Sequence, residues 1–222
     1  MSDPPRPHPV NPALVLRFTG AERALHWLLT LDIAVLTLSG LGLYLPPPNP
    51  VLDRRELIRT IHIDAALALL FIPVLVAGSR PGTLARLWRE VEWFDADDWR
   101  WLRRVSVPWF LRRSRPLPSQ GKMNAGQKLN TIVVAAALVG FVVTGTLMYL
   151  GAHIPASLAD AADTWHVWLM FLGAPLIGGH LALALLVPST RGALRGIVTG
   201  FVRRDYALRR HRRWVEPHEP SG

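Results

Sequence analysis

The 222-residue chain contains no cysteine. This absence excludes an iron–sulfur cluster held by the chain itself, a disulfide framework and covalent attachment of a c-type haem. Acidic residues are also scarce, because 16 Asp and Glu stand against 25 Lys and Arg. The first 25 residues contain no long apolar run, so we expect no cleavable signal peptide. The first membrane helix must then direct insertion by itself.

Long apolar segments are what the sequence does contain. Four of them are nearly uncharged and cover residues 27–45, 61–78, 131–150 and 165–187. Each is close to the roughly 20 residues with which a helix crosses about 30 Å of hydrocarbon. A soluble helix would interrupt such runs with polar residues at helical period, and these segments are not interrupted in that way. The sequence therefore predicts an all-α integral membrane protein, a four-helix bundle.

The basic residues are distributed unequally between the two ends of this bundle. With four spans, both termini and the connection between the second and third spans share one side. That side carries 22 of the 25 Lys and Arg residues, and the exceptions are Arg54, Arg55 and Arg59. Because positive charge is retained in the cytoplasm, we expect both termini there. The net charge of +9 then reflects topology, with anionic lipid headgroups as contacts and no nucleic-acid partner.

We divide the chain into three parts. Residues 1–16 are rich in proline and predict a flexible cytoplasmic arm; residues 17–188 hold the membrane domain; residues 189–222 form an arginine-rich cytoplasmic tail, expected to be helical. Thr19 and Glu22 have the spacing of a capping box at the start of the first span. The cytoplasmic loop between the second and third spans mixes arginine with five tryptophans. That mixture favours a position in the headgroup layer, with docking to a partner as the alternative. The tryptophans are Trp88, Trp93, Trp99, Trp101 and Trp109.

Four of the eight histidines lie in or at the ends of the apolar spans: His26, His62, His166 and His180. A single imidazole in a membrane helix is often only hydrogen-bonded to its neighbour. Four of them, with no matching set of carboxylates in the spans, are harder to explain in that way, because buried ionisable groups are costly. They predict ligation of haem iron.

The spacing of these histidines predicts how they pair. His166 and His180 are 14 residues apart, so they point within about 40° of each other and lie about 21 Å apart along one helix. Depth places His62 beside His166 near the outer surface, and His26 beside His180 near the inner surface. We therefore predict two haem b groups, each held by two imidazoles, which transfer electrons and do not bind oxygen.

Two acidic residues stand in the apolar segments. Asp64 lies near the surface, and Asp32 about one and a half turns into the first apolar run. Asp32 could belong to a proton path, or could simply be hydrogen-bonded to a neighbouring helix.

Several motifs carry a resemblance to a known family. They are RFTGAERALHW at residues 17–27, DWRWLRR at 98–104, GKMNAGQK at 121–128, GIVTG at 196–200 and HRRW at 211–214, together with the four histidines. With these motifs, residues 16–214 resemble the cytochrome b (gamma) subunit of membrane-bound respiratory formate dehydrogenases. The histidine layout alone also fits the cytochrome b anchors of hydrogenases, thiosulfate reductases and related oxidoreductases. The GKMNAGQK segment is what points to formate dehydrogenase.

The resemblance implies a function for the chain. It implies the same two haem pairs, and a quinone site (menaquinone or ubiquinone) beside the inner haem at Asn124, Gly126, Gln127 and His180. It implies an iron–sulfur (beta) subunit and a molybdenum or tungsten pterin (alpha) subunit as partners, in a bacterial inner membrane. The chain itself would hold no formate-oxidising site. From the residues alone, helix capping is the favoured interpretation of Asn124. The remote alternative is a membrane anchor or transporter without a cofactor.

Overall fold

A computed structural model describes residues 13–45, 54–91, 93–106 and 117–216. Within these ranges four long helices are apolar enough to cross a membrane, which confirms the predicted all-α, multi-pass bundle. They are α1 (Gly20–Tyr44), α2 (Arg55–Ser79), α5 (Ala125–Tyr149) and α6 (Ala156–Leu185). Shorter helices are α3 (Thr83–Val91), α4 (Ala96–Ser106), α7 (Arg191–Thr199), α8 (Arg204–Arg210) and α9 (Arg212–Val215). Strands β1 (Leu14–Leu16) and β2 (Phe201–Arg203) complete the described part.

Helices α1 and α5 begin before the apolar runs because polar residues cap them. The Thr19 hydroxyl accepts from the backbone N–H of Glu22, and the Glu22 carboxylate accepts from the N–H of Thr19 at 2.7 Å. This confirms the predicted capping box. Helix α1 therefore starts at Gly20, and Asp32 lies more than three turns inside it, deeper than the start of the apolar run suggested. The Oδ2 atom of Asp32 is buried without a hydrogen-bond partner among the described residues.

The four spans are arranged as two hairpins. Helix α1 packs along α2, and α5 packs along α6, whereas the two hairpins lie farther from each other. On α1 the buried residues Leu25, Asp32 and Ser39 recur every seven positions, as expected for a seam between two helices. The looser separation between hairpins leaves room along the middle of the bundle.

One end of the bundle, here called the basic end, carries β1, α3, α4, residues 117–124 before α5 and the described residues after α6. Strand β1 pairs antiparallel with β2, with Val15 opposite Val202. Two sequence predictions differ from this arrangement. Residues 14–16 of the arm form a strand, and the tail, expected to be helical, is broken by β2. The break occurs at Gly200, whose φ of +90° ends α7 and whose carbonyl accepts from the N–H groups of Arg17 and Phe18.

The connection between α2 and α5 is partly helical. Helices α3 and α4 form within the predicted loop, and Trp88, Trp93 and Trp99 are exposed on it. Trp109 lies outside the described residues. Exposed tryptophans beside arginines remain suited to the headgroup layer at this end of the bundle.

Candidate functional site

The four membrane histidines meet in two pairs, each joining one hairpin to the other. The ring centres of His62 on α2 and His166 on α6 lie 6.2 Å apart. The ring centres of His26 on α1 and His180 on α6 lie 6.5 Å apart. These are the pairs that helical depth predicted. The His62/His166 pair lies toward the end of the bundle opposite the basic end, and the His26/His180 pair lies toward the basic end.

The separation of each pair fits a metal ion held between two imidazoles. A metal–nitrogen bond of about 2.0 Å, with about 1.2 Å from the nitrogen to the ring centre, puts two opposed rings about 6.4 Å apart. A direct, linear N–H···N hydrogen bond would bring the centres to about 5.3 Å. No group of three or more His, Asp or Glu side chains suited to a metal occurs among the described residues. The ring-centre distance of each pair is compatible with two imidazoles on opposite sides of one metal ion.

Two glycines let the His62/His166 pair approach the neighbouring helices. A Cβ atom at Gly40 would lie 3.3 Å from Cε1 of His62, and one at Gly145 would lie 3.4 Å from Cε1 of His166. Beside His180, by contrast, a Cβ at Gly178 or Gly179 would meet nothing within 4 Å. Gly40 and Gly145 thus let the helix backbone lie against the His62 and His166 rings.

Hydroxyl groups support the His62/His166 pair. The Ser39 Oγ lies 2.8 Å from Nδ1 of His62, and the Thr144 Oγ1 lies 2.8 Å from Nδ1 of His166. Sequence reasoning missed both residues, because a serine or threonine in a membrane helix commonly bonds only its own backbone. The available signal was a hydroxyl residue followed by glycine, Ser39-Gly40 and Thr144-Gly145, at the depth of His62 and His166.

The residues predicted for quinone binding start α5. Asn124 and Gln127 form a capping box: the Gln127 N–H donates to Asn124 Oδ1 at 2.9 Å, and the Asn124 N–H donates to Gln127 Oε1 at 3.0 Å. A Cβ at Gly126 would lie 3.1 Å from the Trp101 ring. The capping alternative for Asn124 is therefore observed. Neither side-chain amide NH2 group has an acceptor among the described residues.

Lysines of the same segment tie the basic end together. The Lys122 ammonium donates to the Glu22 carboxylate at 2.6 Å. The Lys128 ammonium donates to the buried Asp98 carboxylate and to the Trp93 carbonyl, both at 2.8 Å. The GKMNAGQK segment thus holds α1, α4 and α5 in a fixed relation.

Comparison with known proteins places these features in a family. The sequence model of the prokaryotic cytochrome b561 family matches residues 17–200, which contain all four paired histidines. The chain belongs to the prokaryotic cytochrome b561 family. Membership implies haem b as the cofactor of this membrane cytochrome.

Curated relatives match at least 90% of the length of the cytochrome. It is 24% identical over 210 residues to the formate dehydrogenase cytochrome b556 subunit of Haemophilus influenzae, covering 92% of this chain and 83% of the relative. It is also 24% identical over 221 residues to the nitrate-inducible formate dehydrogenase cytochrome b556(Fdn) subunit of Escherichia coli K12, covering 94% and 93%. The E. coli K12 cytochrome b556(fdo) subunit is 24% identical over 209 residues, covering 90% and 91%. The resemblance to formate dehydrogenase cytochrome b subunits is confirmed.

The tail of the cytochrome is anchored by a buried histidine outside the spans. The His211 ring is almost fully buried, and its Nδ1–H donates to the Gly121 carbonyl at 2.7 Å. Burial, together with the positive charge of Arg17, lowers the pKa of His211 to about 3. Arg17 donates in turn to the Lys122 carbonyl at 2.8 Å and to Gln127 Oε1 at 3.2 Å. The tail, the N-terminal strand and the start of α5 therefore form one packed unit.

Proposed function

We propose that this cytochrome is the di-haem membrane subunit of a formate dehydrogenase complex, which carries electrons from an iron–sulfur partner across the membrane to quinone. The observation that supports it most directly is the pair of cross-hairpin histidine contacts. On α6 the two paired histidines are separated by 14 residues, or about 21 Å along the helix. Two redox groups at that separation would span most of the hydrocarbon layer.

His62 and His166 would hold one haem b, and His26 and His180 the other. Bound haem supplies one-electron redox chemistry, and two imidazoles per iron leave no position for oxygen. The chain's own residues orient the rings, fill the apolar surroundings and exclude water. The wider spacing between the two hairpins supports accommodation of a flat group between them.

We propose the cytoplasm as the location of the basic end, in a bacterial inner membrane. The excess of Lys and Arg at that end supports this orientation. The His62/His166 pair is then the outer pair and faces the iron–sulfur subunit. The His26/His180 pair is the inner pair and faces the cytoplasm, from which protons for quinone reduction are taken.

The quinone, menaquinone or ubiquinone, would bind beside the inner pair at the start of α5. The side-chain amide N–H groups of Asn124 and Gln127 are free to donate to a quinone carbonyl, while their oxygens stay in the capping box. Gly126 adds no side chain between them. This assignment rests on the family resemblance together with those unused donors.

The names of the relatives support the remaining partners. Each is a formate dehydrogenase subunit, and the match covers at least 83% of each relative described here. The partners would be an iron–sulfur subunit and a molybdenum or tungsten pterin subunit, with formate oxidised on the latter.

Purification of the tagged complex from native membranes tests the proposal. We expect two non-covalent haem b per chain, low-spin spectra and reduction of both by formate. One haem per chain, or a high-spin spectrum, would contradict the di-haem assignment. Reduction by hydrogen in place of formate would instead assign the chain to a hydrogenase.

A further inference from the structure

The two hydroxyl groups beside the outer pair have defined hydrogen-bond directions. Ser39 donates its only hydroxyl proton to the Val35 carbonyl at 2.7 Å, one turn earlier on α1. Thr144 donates its hydroxyl proton to the Gly140 carbonyl at 2.8 Å on α5. Each oxygen can therefore only accept from the imidazole nitrogen that lies 2.8 Å away.

This direction fixes the tautomer of both rings. The proton of His62 and of His166 must lie on Nδ1, which leaves the lone pair on Nε2 for a metal. The same device occurs once in each hairpin, between its two helices: Ser39 on α1 supports His62 on α2, and Thr144 on α5 supports His166 on α6. In both cases glycine follows the hydroxyl residue and makes room for the ring.

The inner pair lacks this support. The Thr30 hydroxyl lies 3.5 Å from Nδ1 of His26, which is beyond ordinary hydrogen-bond length. Thr30 lies on the same helix and donates to the His26 backbone carbonyl at 2.7 Å. No hydroxyl within 3.5 Å supports His180 among the described residues. The two sites therefore differ in the hydrogen bonding of all their imidazoles.

We propose that Ser39 and Thr144 are positioning residues that give the outer site a lower reduction potential than the inner site. The inference rests on the proposed di-haem function. An Nδ1–H that donates a hydrogen bond makes its imidazole a stronger electron donor through Nε2, and a stronger donor favours ferric over ferrous iron. Electrons delivered to the outer pair would then move to the inner pair with a fall in free energy.

The test is a potentiometric titration of the purified complex, followed by haem absorbance, with Ser39→Ala, Thr144→Val and the double variant. The unaltered protein should show two one-electron waves. Each substitution should move only the lower wave upward. If loss of the hydroxyl acceptor lowers the preference for ferric iron on the order of tenfold, the potential rises by about 59 mV for one electron. Ser39→Thr and Thr144→Ser, which keep a hydroxyl group, should leave the lower potential at its value in the unaltered protein.

Thr37→Val is the matched control for Ser39. The Thr37 hydroxyl donates to the Ile33 carbonyl at 2.7 Å on the same helix and contacts no histidine by hydrogen bond. Its removal should leave both waves in place. Thr131→Val serves in the same way for α5, because Thr131 donates to the Gln127 carbonyl at 2.9 Å.

The outcomes separate this inference from the proposed function. If the unaltered protein holds fewer than two haems, the proposed function fails. If it holds two and both variants leave both waves unmoved, or move the higher wave, the inference fails alone. Should the variants lose haem, nitrogen-15 spectra of the reduced, unaltered protein decide. Two imidazole Nδ1–H signals should show stronger hydrogen bonding than the other two, and four equivalent signals would overturn the inference.

Discussion

At the scale of single residues, the histidine pairs make the most direct prediction. His62→Ala and His166→Ala should each remove the outer haem and leave the inner one, because both members of a pair are needed for six-coordinate binding. His26→Ala and His180→Ala should remove the other haem. Haem content and reduced-minus-oxidised spectra of the four purified variants give the measurement. Loss of the same haem in His62→Ala and His26→Ala would show that the pairing is wrong.

A second residue-level prediction separates the two roles of Asn124. Asn124→Asp keeps the oxygen that accepts from the Gln127 N–H, and aspartate caps helices as well as asparagine. It removes the amide N–H groups that would donate to a quinone. We therefore expect an unchanged melting temperature, normal reduction of both haems by formate, and slower reoxidation by added quinone. The loss of one hydrogen bond would weaken quinone binding by about 0.5–1.5 kcal/mol.

Asn124→Ala provides the comparison for that experiment. It removes cap and donor together, so the free energy of unfolding should also fall by about 1 kcal/mol. If Asn124→Asp leaves quinone reoxidation at the unaltered rate, Asn124 acts only as a cap.

Contacts between individual residues were predictable where depth in the membrane alone decided them. His62 and His166 could be paired from helix direction, because both lie near the start of spans that run the same way. The contacts of Ser39 and Thr144 with the histidines could not be predicted, because serine and threonine in a helix ordinarily bond to their own backbone. An apolar sequence also does not reveal how one helix is rotated relative to its neighbour.

At the scale of elements, the anchored tail predicts a pH dependence. The folded pKa of His211, about 3, lies below its usual value near 6.5. Between those values the released tail binds a proton that the docked tail does not, so docking weakens as the pH falls from about 6.5 toward 3. Limited proteolysis of the tail across this range, in detergent, measures the effect.

His211→Gln is the variant for that experiment. Its amide N–H can still donate to the Gly121 carbonyl, but it does not titrate. Proteolysis should therefore lose most of its pH dependence above pH 5. Asp95 does not account for that window, because hydrogen bonding from Arg213 lowers the pKa of its carboxyl despite partial burial, and its effect is confined to more acidic pH. An equally steep pH profile in His211→Gln would contradict the assignment to His211.

The elements themselves were predictable to different degrees. The four spans could be predicted from length and hydropathy, and the start of α1 from the Thr19 capping box. The prediction of a helical tail was wrong in one respect, because residues 201–203 form a strand. Their pairing with residues 14–16 is a contact across nearly the whole chain, and local helix propensity cannot report it.

At the scale of the whole molecule, the division into two hairpins could not be predicted from the sequence. In lipid, apolar side chains face tails as readily as other helices, so hydrophobicity does not reveal which spans pack closely. Each histidine pair crosses from one hairpin to the other. A group bound between them would therefore also join the hairpins, and loss of haem should loosen the bundle between hairpins more than within them.

The orientation of the molecule yields the last prediction. Because the chain has no cysteine, single cysteines introduced at exposed positions label without background. Ala96 begins α4 at the basic end, and Ser157 lies near the start of α6 at the other end. In intact cells expressing the chain without its partners, a membrane-impermeant maleimide should label Ser157→Cys and not Ala96→Cys. Permeabilised cells should label both, and denatured samples give the full yield for each.

The physical reason is the charge distribution. Moving 22 basic residues to the outside, in place of three, would oppose the bias by which insertion retains Lys and Arg in the cytoplasm. The opposite labelling pattern would show that the molecule has the inverted orientation in the membrane. The His26/His180 pair would then be the outer one, and quinone would be reduced at the outer surface.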